Sequence, residues 1–519
     1  MHRATTPFVV LTTLQVLAQT APPIAWQKAL GGTDTDEGLA IAGTSDGGAI
    51  VAGTTFSNDG DVGSNNGFYD VWLVKLDALG QIQWEKNYGG SAIDVAKDVI
   101  QTSDGGYLVA ARSNSEDGDV PMNNGDWDNW ILKLDAAGVL EWQTVHGGNG
   151  HDEPQVCAET ADGYIIGGRS NSENGDVVGN HSWTFDMWVY KLAFDGSLFW
   201  QRCYGGTSSE ELYDIQLMPD GGLVMAGEGA SDDGDVTATC DTAFSDFWVV
   251  RTDAAGTIMW QQCYGGSDID FVRTIRATLD GGFIVAGTTE SVDGMVTGHH
   301  GDMDLWVIKL DASGGLEWQR ALGGSGLENF GSATQLADGR YAVLGEAWST
   351  DGDLTVSNGA ADFWLVMLDA NGNIKWDKNM GGSMRERSRS IALASDGCIL
   401  AAGSTLSSDG DVTGYHLPYS SSNTDFWIVK LGSDVGIKEQ ATALFQLLPN
   451  PAMDQLQITL DPTLLGGRYT IVDLAGRVQQ EDIVHEMQMH LDVTALPTGL
   501  YTLKIHGGDG VMAQRWVKE

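Results

Sequence analysis

Basic residues are scarce in this chain: 28 Lys and Arg stand against 71 Asp and Glu in 519 residues, a net charge of −43. A surface that negative repels phosphate backbones and anionic lipid headgroups, which sets nucleic acid aside as a partner. Cysteine is scarce too. Five in so long a chain, with no Cys-x-x-Cys, do not make a disulfide framework. Cys203 and Cys263 recur at one place in successive repeats ("WQRCYGG", "WQQCYGG") and read as small buried residues rather than metal ligands. Past the N-terminus no apolar run is long enough for a membrane helix. No GxSxG, P-loop or HExxH occurs, and His146, His151, His181, His299 and His300 fall in no recognised zinc pattern.

What the chain has is enough apolar residues to fill large cores, 42% of the total with 18 Trp among them. The first residues, "MHRATTPFVVLTTLQVLAQTAPP", combine a basic start, an apolar stretch from Phe8 to Leu17 and small residues near Ala18. That grammar predicts a signal peptide over 1–18 and hence export.

Repetition dominates the chain beyond this leader. Trp followed five residues later by Gly-Gly occurs at Trp26, Trp84, Trp142, Trp200, Trp260, Trp318 and Trp376, spaced by 58 residues in every interval but one of 60. Ten residues after each Trp stands an acid (Asp36, Asp94, Asp152, Glu210, Asp270, Glu328, Glu386), and twenty after it an Asp-Gly turn. Asp-x-Trp then opens an apolar run at Trp72, Trp130, Trp188, Trp248, Trp306, Trp364 and Trp427. Within a unit the alternation and turn dipeptides predict strands over 94–102, 107–111, 129–134 and 139–145. Four antiparallel strands in each of seven units predict an all-β fold, a seven-bladed β-propeller over 19–434. The seventh unit lacks its fourth strand and the chain begins with an orphan one, "PIAWQKALGG", so the N-terminal strand is expected to close the ring beside Trp427. A linear stack of sheets is the alternative.

After a linker at 435–445 the period stops, and alternating apolar residues with Gly turns predict a small β-sandwich over 446–519. Pro449-Asn450-Pro451, then Gly476-Arg477, then Leu496 with Gly499 and Tyr501, then Val517-Lys518 come one after another in order. This tail resembles the C-terminal sorting domain of type IX secretion; an ordinary carbohydrate-binding or fibronectin-like module is the plainer reading. The resemblance implies the type IX secretion machinery as a partner and a secreted or outer-membrane surface-attached protein. The repeats, with "DGGYLVA", "DxW" and "KLDAxG", look like those of secreted proteins that carry such a tail, which speaks to fold and not to activity.

The most recurrent acids lie in Ser-x-Asp-Gly-Asp, at Asp59 and Asp61, Asp117 and Asp119, Asp233 and Asp235, Asp351 and Asp353, Asp409 and Asp411; Asn174 and Met295 interrupt the pattern in two further copies. Counted with the acids after Gly-Gly and those of Asp-x-Trp, 26 recurring acids are expected on or near one face. Two readings compete for the motif. Either each Asp caps a turn by accepting backbone N–H groups, or the loops gather the six to eight oxygens that calcium takes. Departures from the repeat are the better guide to a ligand. Just after the second strand stand Arg112, Arg169, Glu228 and Glu346 where other units have Thr or Ser, and Trp127, Trp183 and Trp348 lie outside the repeat. The expected function is a non-catalytic recognition or adhesion module with a glycan or protein ligand at Arg112, Arg169, Glu228 and Glu346. A glycan hydrolase or lyase using acids on the same face is the alternative.

Overall fold

The computed structural model describes residues 20–238, 244–416, 423–432, 445–448, 452–460, 464–473, 477–507 and 510–518. The expected signal peptide, the linker up to residue 444, Pro449-Asn450-Pro451 and Gly476 lie outside the described residues. The chain divides into two compact units, Met1–Ser433 and Asp434–Glu519.

The first unit is built from seven four-stranded antiparallel sheets, each sequential except the last. Asp36–Gly43, Ala49–Thr55, Asp70–Leu76 and Ile82–Tyr88 make sheet 1. The first strands of sheets 2 to 7 are Asp94–Gln101, Asp152–Thr160, Glu211–Leu217, Asp270–Ala277, Glu328–Gln335 and Glu386–Leu393. In sheet 7 the fourth strand comes from the other end of the chain: Ile24–Leu30 pairs with Asp425–Leu431, Ala29 opposite Trp427. Each first strand packs against the next, and Glu386–Leu393 packs against Asp36–Gly43.

The repeat letters are packing instructions. The Trp of Asp-x-Trp is fully buried in every sheet, where its indole N–H still needs an acceptor. It finds one thirteen residues on, in the residue just past the marker Trp: Trp130 donates to Gln143 (2.8 Å), Trp188 to Gln201 (3.0 Å) and Trp306 to Gln319 (2.8 Å). Trp427 donates to Gln27 (2.9 Å), so the N-terminal strand supplies both the pairing and the acceptor. The marker Trp packs on the turn of the following sheet. A side chain at Gly80 would strike Trp26, and one at Gly138 would strike Trp84. The Asp-Gly turns bind the Lys that ends the third strand, as in Lys75–Asp46 and Lys430–Asp396 (2.8 Å each). Those Lys ammonium groups are buried with their stems, and each is paired.

The second unit contains a three-stranded and a four-stranded sheet over one apolar core. Tyr501 stacks on fully buried Trp516 at 5.4 Å and donates to the Pro497 carbonyl (2.8 Å). Leu496 packs on the same core.

The cysteines depart from expectation at one position. Cys157 and Cys398 are buried free thiols and Cys203 a half-buried one, but Cys263 is disulfide-bonded and so is not merely a small buried residue.

Candidate functional site

The Asp-Gly-Asp loops act as clasps. Each joins the second and third strands of a sheet, and its first Asp reaches back to the Gly-Gly connector that enters the same sheet. Asp59 accepts the Thr33 N–H (2.8 Å) and hydroxyl (2.9 Å). Asp117 takes Ser91 N–H (2.7 Å), Asp233 takes Thr207 (2.8 Å), Asp351 takes Ser325 (2.7 Å) and Asp409 takes Ser383 (2.7 Å). The donors lie 26 residues away, not within the motif's own turn, so the device ties two loops together, whereas the first of the two readings placed the donors in the local turn. Gly60 has φ 69°, which brings the loop backbone against the Gly31 carbonyl. The second Asp contributes through its backbone first: Asp61 N–H donates to Gly31 O (2.8 Å), and Met295, which replaces the acid, keeps the same bond to Gly265 O (3.0 Å). The carboxylates of Asp61, Asp119, Asp353 and Asp411 add bonds of 3.2–3.3 Å from the glycine N–H. The Asp235 carboxylate lies 3.7 Å from His181 Nε2. Among the described residues no three His, Cys, Asp or Glu side chains are grouped as a metal ion would need.

Fourteen of the 26 recurring acids are not presented on a face at all. The acid after Gly-Gly and the Asp of the preceding unit's Asp-x-Trp are at most 5% exposed in every sheet. They meet across the connector: a side chain added at Gly89 would strike both Asp70 and Asp94, one at Gly147 both Asp128 and Asp152, one at Gly381 both Asp362 and Glu386. Two carboxyl groups buried together cannot both ionise cheaply. Burial first, and the neighbouring acid after it, pushes Asp70 up to about 6 and Asp362 up to about 7. Burial likewise raises Asp128 to about 7 and Asp36 to about 6, the latter against bonds from Thr55, Gly32 and Ser57. Donors surround one member of each pair, with Gly90 N–H and Ser115 hydroxyl on Asp94 (2.8 Å each).

The chemistry that differs between sheets sits on the first strands and beside them. Every first strand carries a bulge, and the extra residue varies from sheet to sheet: Leu39, Lys97, Gln155, Tyr213, Arg273 and Arg389, with the Phe330–Gly331 pair in sheet 6. A bulge re-aims a side chain, and here it adds a second row to the residues just past the buried acids. In sheets 2 to 4 these rows form a closed ionic cluster. Glu153, 2% exposed, accepts from Lys97 (2.5 Å), Arg112 (3.1 Å), Arg169 (2.7 Å) and His151 (3.3 Å). Arg169 also reaches Glu211 (2.5 Å), which accepts from the Tyr213 hydroxyl as well (2.9 Å). Burial raises the Glu153 carboxyl, but the His151 bond and the three cations outweigh it and hold the group well below the carboxylate range. Arg112 and Arg169 stack on Trp127 and Phe185, each 4.5 Å from the ring centre.

Of the four residues expected to hold a ligand, Arg112 and Arg169 are brought together, on Glu153. Glu228 is buried beside Glu211 and opposite it in register, and burial, then Glu211, pushes it up to about 7. Glu346 is fully buried and accepts from Arg385 (2.6 Å) and the Trp348 indole (3.1 Å). No described bond links Glu228 to Glu346. Of the three Trp outside the repeat, Trp183 is 78% exposed and Trp348 40%, whereas Trp127 lies under Arg112. The reading of the sequence missed Lys97, Glu153, Arg273, Phe330 and Arg389. Its usable signal was plain: one and three residues past each recurrent acid the letters vary among the repeats, while the acid itself does not.

Residues 446–519 match the family described as the secretion system C-terminal sorting domain. The tail is a type IX sorting domain. The protein is therefore secreted or held at the outer-membrane surface, with the type IX machinery as the partner of its tail. Among the described residues no helix is long and apolar enough to cross a membrane. Regulatory protein FlaEY of Caulobacter vibrioides is 24% identical over 429 residues, 72% of this chain and 43% of that protein, so the chain spans under half the length of this relative. The repeated sheets are similar to the WD40 domain of Pan2 from Neurospora crassa (8% identical, 78% of this chain and 96% of that one, TM-score 0.44). YCF48 bound to D1 peptide is a second likeness (9% identical, 81% of this chain and all of that one, TM-score 0.41).

Proposed function

We propose that the seven sheets are the blades of a closed propeller, locked by the N-terminal strand, and that it serves outside the cell as a non-catalytic recognition or adhesion module. The ligand, a glycan or a surface protein, is taken where the first strands and the loops after the second strands meet. One observation carries this reading. Positions that repeat are spent on clasps and buried pairs, while the non-repeating positions interlock on one surface with differing charges and aromatic rings. Exposed large apolar side chains on the loops between second and third strands (Phe68, Met122, Trp183, Phe244, Val292 and Trp348) give that surface contact area. In this reading the Asp-Gly-Asp loops are clasps, and calcium has no required place in them.

The test is binding of the full exported chain to a panel of polysaccharides and surface proteins, with reducing ends assayed in the same wells. The expected result is saturable capture, weakened by Trp183→Ala, without product. Product release abolished by Glu228→Gln or Glu346→Gln would replace the reading with a glycan hydrolase or lyase.

A further inference from the structure

The first-strand surface holds eight cations, and six of them face a carboxylate, Arg276 pairing with Asp214. Lys97, Arg112 and Arg169 share Glu153, Arg385 holds Glu346, and Arg387 lies 3.6 Å from Glu37. Arg273 and Arg389 are in ion-pair contact with none: Glu228 acts on Arg273, and Glu37 and Glu346 on Arg389, only from a distance. Among the described residues neither guanidinium donates to a carboxylate, a carbonyl or a hydroxyl, and both are half-buried. They gather instead over one ring: the Arg389 guanidinium carbon lies 4.2 Å and that of Arg273 5.4 Å from the centre of Phe330, with Arg273 also 4.7 Å from the Tyr213 ring.

Phe330 is itself out of the ordinary. With φ 59° it is the one non-glycine residue of positive φ among the described residues. A left-handed conformation is unfavourable for a bulky side chain, and such residues persist where the surroundings impose them, often at binding sites. The neighbouring Gly331 has no room for a side chain against the Gly287 carbonyl, so the bulge cannot relax by exchanging the two residues.

Two like charges over one aromatic face repel each other, and the nearby acids Glu228, Glu37 and Glu346 stop short of contact with them, which leaves room for an acidic group from outside. Their free N–H groups are arranged as forks suited to planar or tetrahedral oxyanions. We propose that Arg273 and Arg389, braced on Phe330, form an oxyanion site that takes a carboxylate, sulfate or phosphate group of the ligand. The inference rests on reading this surface as the recognition surface and names the chemistry of what it recognises: an acidic ligand, drawn to a cationic spot inside a strongly negative protein. The surrounding negative field then rejects any anion that cannot reach both guanidinium groups.

The experiment is calorimetric titration of the full exported chain with sodium glucuronate, sulfate and phosphate, each against sodium chloride at equal ionic strength. Saturable binding of at least one oxyanion above chloride is expected, with the strongest of the three identifying the group's source. Arg389→Gln and Arg273→Gln should each weaken it about tenfold or more, and Arg389→Lys, which keeps charge but loses the fork, by less. Circular dichroism checks the fold; if a Gln variant does not fold, Arg273→Lys and Arg389→Lys together carry the test. No saturable binding to the folded protein, or binding indifferent to these substitutions, overturns the site. Panel ligands captured equally well by the Arg273→Gln, Arg389→Gln double variant would remove the oxyanion site and leave the recognition reading standing. Oxyanion binding with no ligand captured on the panel would support the site and count against the recognition reading instead.

Discussion

Asp152 and Glu153 are neighbours in sequence, both almost wholly buried, and opposite in chemistry. Asp152 faces another carboxyl, Asp128, across Gly147, and burial raises its pKa despite bonds from Ser170, Ser172 and Gly148. Glu153 points to the other side of the strand, where cations hold it ionised. Burial is common to both; the partner decides the charge state. The first position recurs in all seven units and the second does not. A repeated position meets a repeated position of the adjoining unit, so an acid there meets an acid, and only the loop partner varies, from the Asn66 N–H on Asp70 to the His181 ring on Asp186. A position free to vary can be surrounded by whatever its neighbours supply.

The largest way to break this symmetry is pH. Asp36, Asp70, Asp186 and Asp270 are raised to about 6, and Asp128, Asp362 and Asp425 to about 7, in each case by burial first. Their folded values lie above the unfolded one near 3.9, so the folded chain holds more protons between these values. The stability they contribute is fully present below about pH 4 and is lost as pH rises through 6 to 7. Asp46, Asp104 and Asp280 run the other way: burial opposes the shift, but the bonds from Lys and Thr win and lower each to about 2, so their contribution is present above about pH 4 and is lost as pH falls. Urea midpoints of the full chain should therefore fall by an amount equivalent to several kcal/mol, roughly 1 for each pair, between about pH 5 and 8. A midpoint that rises over that range would mean the pairs are not sharing protons.

Next in size is the partner set of Glu153. Glu153→Ala leaves three half-buried cations and a histidine without their acceptor and should cost about 3 kcal/mol. Arg389→Gln removes a cation that has no acceptor to lose, so its cost should stay within about 1 kcal/mol. Equal losses in the two variants, read from urea unfolding, would erase the distinction between the closed and open halves of the first-strand surface.

Sequence letters made the sheets legible because each recurrent residue does one packing job. The strands predicted at 94–102 and 129–134 are found as Asp94–Gln101 and Asp128–Leu134, and the orphan strand at Trp26 pairs beside Trp427. The tail was legible because its motif residues do packing work, Tyr501 in the core and Leu496 against it. The first-strand surface was much less so. Arg112 and Glu346 stood out as departures at the end of the second strand, but the bulges that turn Lys97, Arg273 and Arg389 onto that surface add one residue to a strand without changing the 58-residue period. Nor does a one-letter pattern show that Asp36 and Asp425, 389 residues apart, are buried against one connector. Recurrent acids read as a charged face because sequence counts charges and not their protons.

A smaller effect separates the two aspartates of one loop. Asp59 accepts an N–H and a hydroxyl from Thr33, so Asp59→Ala should cost about 1 kcal/mol, the usual worth of such bonds. Asp61 makes its shorter bond through its own backbone N–H, which any residue supplies, as Met295 does in sheet 5. Asp61→Ala should then cost less than half as much. A larger loss at Asp61 than at Asp59 in thermal unfolding would show that the carboxylate, not the backbone, closes the clasp.

The smallest expected effect is that of a chelator. Calcium takes six to eight oxygens at ~2.3–2.6 Å, and a loop that held it would turn carboxylate and carbonyl oxygens inward on one point. In these loops they face outward to donors: both oxygens of Asp59 meet Thr33, the Asp59 carbonyl accepts Val62 N–H (3.2 Å), and the Gly31 carbonyl accepts Asp61 N–H (2.8 Å). A cation would have to displace these bonds, and the bonds themselves already lower the cost of the nearby negative charge. EDTA should therefore leave the melting temperature of the full chain within about 1 °C, with calcium doing no more than sodium at equal ionic strength. Weak extracellular sites have a Kd of roughly 10⁻⁴ to 10⁻³ M, so millimolar calcium is the concentration at which the comparison is decisive. A drop of several degrees in EDTA, reversed by calcium and lost in Asp59→Asn together with its counterparts Asp117→Asn and Asp409→Asn, would turn the clasps into metal sites. It would also change what the recurrence of these acids means, from loops tied by their own N–H groups to loops that need an ion to fold.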